Sequence, residues 1–243
     1  MINKQAIVHW SIAAVLAAGV VWVGVTASRR ATDSVCTAVK IVVKDSTERQ
    51  YVTRDELRSM LQNAGLWPEG KTLSEISSNR IEQHLLTHPM LRRAECYELA
   101  KGEVHIEVRQ RQPMMLIKSD EVYYLDTERK VMPVRASVNT PVIVVNGRIG
   151  RQQAQGEMYD FVRWLTRNNF WQGKIKDIHV VSPKMIELTD SCHHYTIVIG
   201  STEGARQRLA DLQTLYEEGF EKIGYPDYSL IDLQYKGQIV GRK

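Results

Sequence analysis

The 243-residue chain has few cysteines, and they do not form a recognisable pattern. Cys36, Cys96 and Cys192 lie far apart, with no C-x-x-C pair and no even number from which a disulfide framework could be built. The sequence therefore predicts neither a disulfide-stabilised fold nor a cysteine zinc site.

The chain also lacks a large excess of charge of one sign. Its formal net charge is +4, but Lys4, Arg29 and Arg30 flank an apolar segment. Without these three, 29 of the 32 Lys and Arg residues remain against 28 Asp and Glu residues. A nucleic-acid-binding domain usually has a clear basic patch. We therefore expect no nucleic-acid partner.

No convergent set of catalytic or metal-binding side chains is apparent. His84 and His88 are four residues apart, but Glu does not follow His84 as it would in an H-E-x-x-H zinc motif. His193 and His194 are adjacent and precede a predicted strand, so their side chains should point to opposite faces. The sequence predicts no enzyme activity, no cofactor, no metal and no small-molecule substrate.

One long apolar segment lies near the N-terminus. Residues 7–27 contain no formal charge, and their number matches the helix length that crosses ~30 Å of hydrocarbon. Trp10 and Trp22 lie toward its ends, where indole rings favour the membrane interface. The alternative is a cleaved signal peptide, but its apolar core would be shorter. We predict a retained transmembrane helix at 7–27, preceded by a short cytoplasmic tail at 1–6 and followed by a linker at 28–38.

The next part of the chain has the order strand, helix, helix, strand, strand. Strands are predicted at 39–43, 91–99 and 103–110, and helices end before Gly65 and Pro89. Thr53 and Glu56 have the spacing of a capping box at the start of the first helix. These elements predict a compact α+β domain at 39–111, with two helices covering one face of a sheet.

The second half, residues 112–243, has the pattern of a mostly antiparallel β domain with two helices. Strands are predicted at 114–118, 122–125, 142–145, 175–181, 185–189, 195–199, 229–235 and 238–240. The first helix has apolar residues at Met158, Phe161, Val162 and Leu165, and the second at Leu209, Leu212, Leu215 and Tyr216. Asn146-Gly147 is predicted as a turn.

Three segments together resemble the FtsQ/DivIB family of bacterial cell-division proteins. The segment "THPMLRRAECYELAKGEVHIEVRQRQP" is similar to the end of that family's small POTRA domain, and "VYYLDTERKVMP" to a strand pair that follows it. The end of the chain, "SLIDLQYKGQIVGR", resembles the family's last two strands. Arg129 lies in the turn where the family pattern has a glycine.

The resemblance implies a non-enzymatic scaffold of the divisome. Members have one span in the inner membrane and a periplasmic body, which outweighs the weak preference of Arg29 and Arg30 for a cytoplasmic body. The implied partners are coiled-coil bitopic proteins like FtsB (DivIC) and FtsL, and the implied role is control of septal peptidoglycan synthesis. The alternative is a POTRA-type periplasmic chaperone or polypeptide-transport factor. Tandem POTRA units would be expected of it, and the sequence shows none.

Two sites follow from these predictions. Because a strand so close to the C-terminus is expected at a sheet edge, it could pair with a strand of a partner. The predicted partner-binding residues are Leu230, Ile231, Leu233, Tyr235, Gln238, Ile239 and Val240. The predicted junction between the two domains consists of Arg111, Gln112 and Pro113.

Overall fold

The computed structural model describes residues 34–44, 50–99, 102–135 and 140–243. The predicted tail at 1–6, the predicted transmembrane helix at 7–27 and most of the predicted linker lie outside these ranges. Within the ranges, no helix combines the length and apolar character needed to cross a membrane. The chain divides into two compact units, the first ending at Gln110 and the second beginning at Arg111.

The first unit has the predicted order of strands and helices. It consists of β1 (Ala38–Val43), α1 (Arg54–Asn63), a 3-10 turn (Leu73–Glu75), α2 (Ser78–Leu86), β2 (Leu91–Leu99) and β3 (Glu103–Gln110). The sheet order is β1-β3-β2, with β1 parallel and β2 antiparallel to β3.

Local sequence signals explain why these helices form where they do. The Thr53 hydroxyl accepts a hydrogen bond from the backbone N–H of Glu56, which confirms Thr53 as the N-cap of α1. The apolar side of α1 buries Leu57 and Leu61, and that of α2 buries a similar pair. Alternate residues of β3 are fully buried as well. Burial of one side of each element therefore holds the first unit together.

In the described residues, the second unit contains nine strands and two helices, numbered on from those of the first unit. Its strands are β4 (Pro113–Lys118), β5 (Val122–Asp126), β6 (Val131–Pro133), β7 (Ile143–Gly147), β8 (Ile175–Ser182), β9 (Met185–Asp190), β10 (Thr196–Gly200), β11 (Leu230–Asp232) and β12 (Val240–Arg242). The helical segment α3 spans residues 151–165, with a π-helical turn at Ala154–Met158 that is kinked at Gly156, where φ of −97° and ψ of −115° are not helical. Helix α4 spans residues 205–223 and contains a π-helical turn at Leu215–Phe220.

These nine strands form one sheet in the order β12-β11-β10-β9-β8-β7-β4-β5-β6. Neighbouring strands are mostly antiparallel, as predicted; the parallel pairs are β4–β7, β7–β8 and β10–β11. The apolar residues predicted on α3, and Leu209, Leu212 and Tyr216 on α4, are buried in a core with the sheet. The sheet ends at β12 on one side and at β6 on the other.

The predicted turn at Asn146-Gly147 is wrong. Both residues extend β7, in which Gly147 pairs with Val180 of β8. The φ angle of Gly147 is +96°, and a Cβ atom there would collide with the backbone carbonyl oxygen of Val180. The glycine is therefore required by the close approach of a neighbouring strand rather than by a hairpin turn.

Candidate functional site

The C-terminal strand pair lies at one end of the large sheet. In the antiparallel pairing of β11 with β12, Leu230 lies opposite Arg242, Ile231 opposite Gly241, and Asp232 opposite Val240. In the described part of the chain, no strand pairs with the outer edge of β12. The β12 edge is therefore an edge that a partner strand could extend.

The first strand is shorter than predicted, and the second has the predicted length but is displaced by two residues along the chain. The predicted strands at 229–235 and 238–240 are observed at Leu230–Asp232 and Val240–Arg242. Local hydrogen bonds explain the difference. The Asp232 carboxylate accepts from the Gln234 N–H at 3.0 Å, and the Gln238 N–H donates to the Tyr235 carbonyl at 3.1 Å. These backbone groups stabilise a turn instead of extending the ladder.

The seven predicted partner-binding residues differ in exposure. Ile231 and Leu233 are buried, at 1% and 2% exposure, and belong to the core of the second unit. Leu230, Ile239 and Val240 are half-buried, whereas Tyr235 and Gln238 are exposed. Ile231 and Leu233 therefore position the strand, and the remaining five can contact another molecule.

Four of the seven residues also line a groove beside the strand pair. Leu233, Tyr235, Gln238 and Ile239 form one side of this groove, which has a volume of about 520 Å³. The opposite side is the first turns of α4, which contribute the charged residues Arg208 and Asp211. The sequence pattern did not reveal this groove, because its two sides are brought together only by the packing of α4.

Gly241 is a residue of β12 that sequence reasoning missed. A Cβ atom on Gly241 would lie 2.5–2.7 Å from three ring carbons of Tyr228, which is half-buried against the core. The aromatic ring therefore lies directly against the backbone of the terminal strand. A glycine within a strand is a known sign of such an approach, so the signal was present in the sequence.

At the predicted junction, Arg111 forms a largely buried ion pair. Its Nη1 atom lies 2.7 Å from the Oδ2 atom of Asp126, and the two side chains are 17% and 1% exposed. The other Asp126 oxygen accepts from the N–H groups of Glu128 and Lys130 at 2.8 and 2.7 Å. Asp126 thus orders the β5–β6 turn and neutralises Arg111. Its carboxylate was not predicted as part of the junction.

The same turn contains a non-glycine residue in the left-handed region. Arg129 has φ of +64°, at the position where the FtsQ/DivIB pattern has glycine. Its guanidinium donates to the carbonyl of Gln155 at 2.9 Å and to the carboxylate of Asp160 at 2.6 Å, and lies 4.4 Å above the ring of Tyr159. These contacts with α3 compensate the strained backbone conformation.

His193, one of the histidines considered as metal ligands, has a structural role. Asp190 is fully buried, and its carboxylate receives hydrogen bonds from the Cys192 N–H, the Tyr216 hydroxyl and the His193 ring. The ring of Tyr225 stacks on His193 at 3.9 Å. Burial and the negative charge of Asp190 raise the pKa of Tyr216. The group links the β9–β10 turn to α4. Among the described residues, no cluster of three or more His, Cys, Asp or Glu could hold a metal.

Both units of the chain match known protein families. Residues 34–109 match the POTRA-like domain, the class already indicated by the β-α-α-β-β order and the β1-β3-β2 sheet. Residues 112–242 match the family described as FtsQ/DivIB, C-terminal related. This match covers more than half of the 243 residues. No curated protein matches the chain.

The chain therefore belongs to the FtsQ/DivIB family, and the resemblance noted in the sequence is confirmed. This is a family of non-enzymatic scaffolds of the cell-division machinery, which implies a role in division and interactions with other divisome proteins.

Proposed function

We propose that the chain is a single-pass inner-membrane scaffold of the divisome, with a periplasmic body enriched at the division septum. It binds FtsB/DivIC-like and FtsL-like coiled-coil proteins at its C-terminal strands and thereby helps control septal peptidoglycan synthesis. It has no catalytic activity of its own. Membership of the FtsQ/DivIB family supports the cellular role, and the β12 edge supports the mode of binding.

The observation that carries the binding proposal is the terminal position of β12 in the nine-stranded sheet. An added strand would use backbone hydrogen bonds along this edge, which requires no particular side chain. Side chains in the adjoining groove would then select the partner. Tyr235 is suited to this, because half of its surface is exposed and aromatic rings contribute strongly to interfaces.

The position of β12 also limits which truncation can test the proposal. Removing everything after Ser229 would delete Ile231 and Leu233, which are core residues, and would destabilise the whole unit. A chain ending at Ile239 removes only β12 and Lys243. This shorter truncation deletes the strand edge while keeping the core and most of the groove.

The test is capture of purified FtsB/DivIC-like partner by the full chain and by the chain ending at Ile239. We expect capture to be lost with the shorter chain while its circular-dichroism spectrum is retained. Ile223→Ser is the matched control, because Ile223 is 83% exposed and lies outside both β12 and the groove. Equal capture by the full and shortened chains would rule out strand addition at β12.

A further inference from the structure

Strand β2 of the first unit is the longest described strand, and it lies at one end of its sheet. Among the described residues it pairs with β3 and with no other strand. It contains two arginines and two glutamates, so it has no net charge, and its apolar residues Tyr97 and Leu99 are exposed. A long outer strand without net charge is a template for pairing with another chain.

Glu82 of α2 occupies the middle of the outer edge of β2, the edge that faces away from β3. Its Oε1 atom accepts a hydrogen bond from the backbone N–H of Cys96 at 2.7 Å. In an antiparallel pair, alternate residues direct their N–H groups away from the neighbouring strand. Because the Cys96 N–H points away from β3, those of Ala94 and Glu98 point the same way. The Glu82 carboxylate therefore takes the place that a carbonyl oxygen of an added strand would need.

The packing of α2 holds the Glu82 carboxylate at this position. Ile81 and Leu85 are fully buried and fix α2 in the core of the first unit. Glu82 lies between them in the sequence and is itself half-buried. A hydrogen bond from a backbone N–H to a carboxylate is charge-assisted and roughly twice as strong as a bond between neutral groups. An incoming strand would have to break this bond before it could pair with the middle of β2.

We propose that Glu82 closes the outer edge of β2 against pairing with β2 of a second copy of this chain. A second copy is the partner that fits this edge, because antiparallel pairing of an edge with itself is two-fold symmetric and needs no complementary surface elsewhere. Since β2 has no net charge, two identical strands would not repel each other. Glu82 is thus a protective residue of the first unit, and its removal opens a self-association surface.

Native-state hydrogen exchange of the Cys96 amide in the full chain tests whether Glu82 protects this N–H group. Glu82→Ala removes the acceptor, whereas Glu82→Gln keeps an acceptor oxygen and removes only the charge. We expect exchange at Cys96 to be at least about tenfold faster in Glu82→Ala, the factor expected from loss of a hydrogen bond to a charged group, and intermediate in Glu82→Gln. Gln83→Ala is the control, because Gln83 is exposed on the same helix. Unchanged exchange in Glu82→Ala would overturn the proposal.

Sedimentation of the full chain in detergent micelles measures self-association. We expect the dimer association constant of Glu82→Ala to be at least about tenfold above the parent's, because pairing no longer breaks the bond to Cys96. Adding Glu98→Pro removes an outward N–H of β2 without removing a bond to β3, and should restore the parent's value. If Glu82→Ala loses its circular-dichroism spectrum, Glu82→Asp, which is one methylene shorter, replaces it. Association equal to the parent's, or association that persists with Glu98→Pro, would refute the protective role.

Discussion

Substitution of Gly241 by alanine tests whether β12 is held as the structure shows it. The added methyl group would lie 2.5 Å from Cε2 and 2.7 Å from both Cδ2 and Cζ of Tyr228. Carbon atoms pack favourably at ~3.5–4.0 Å, so the strand and the ring must separate by about 1 Å. The backbone of Gly241 does not need a positive φ, and alanine therefore adds a clash without adding backbone strain.

The cost of the clash should appear mainly in β12. Overpacking by one methyl group costs about 1–3 kcal/mol, because a ring that is half-buried cannot move away freely. The strand has only three residues and, among the residues that the structure describes, a single neighbour, β11. Local opening is therefore easier than rearrangement of the core. A cost of that size corresponds to a roughly 5- to 150-fold rise in the open population of the strand.

Native-state hydrogen exchange of the amides in Val240–Arg242 measures this opening directly. We expect exchange there to accelerate in Gly241→Ala by the factor given above, with little change in β8 and β9, and partner capture should weaken. Gly150→Ala is the matched control, since a Cβ atom at Gly150 meets no other atom within 4 Å. Unchanged exchange in Gly241→Ala, or an equal change in Gly150→Ala, would refute the packing of Tyr228 against β12.

Three further predictions concern the interior of the second unit. Arg129→Ala and Arg129→Gly both lose the contacts with α3, but only glycine adopts the positive φ without strain. Urea unfolding should therefore find the glycine variant more stable than the alanine variant by about 1 kcal/mol. Equal stability of the two would argue against strain at this turn. Arg111→Met leaves the Asp126 carboxylate buried without its cation and should cost about 3–5 kcal/mol in the same measurement, while a loss below 1 kcal/mol would contradict the ion pair. Because the pKa of Tyr216 is raised in the folded state, folding stability should fall as the pH rises above ~10, where the unfolded phenol ionises. Tyr216→Phe should flatten that decline by up to ~1.4 kcal/mol per pH unit, and a slope identical to the parent's would show that Tyr216 ionises freely in the folded state.

Much of the architecture could be predicted from the sequence because it depends on local patterns. Alternating apolar residues defined β2 and β3, and the helical spacing of apolar residues defined α1 to α4. The capping position at Thr53 was correct, since an N-cap depends only on residues within one turn. The ordered motifs led to the FtsQ/DivIB family, which the family comparison confirmed.

The errors occurred where hydrogen bonds that the apolar pattern does not reveal decide the local conformation. Asn146-Gly147 has the composition of a hairpin turn, but pairing with β8 extends the strand through it. Strand β11 was predicted too long and β12 two residues too early, because the N–H groups of Gln234 and Gln238 bond to Asp232 and Tyr235 instead of to a neighbouring strand. Pairing with β8 thus overrides turn propensity in the first place, and turn hydrogen bonds override strand propensity in the second.

The sequence by itself determined the order of the elements, the apolar side of each, the family and the approximate position of the junction. Only the tertiary structure decided that β12 lies at one end of the nine-stranded sheet formed by the described residues, and that α4 forms a groove beside it. It alone also assigned Gln110 to one unit and Arg111 to the other. The physical reason is that these features depend on contacts between residues far apart in the chain, whereas periodicity and capping depend on neighbours a few residues away.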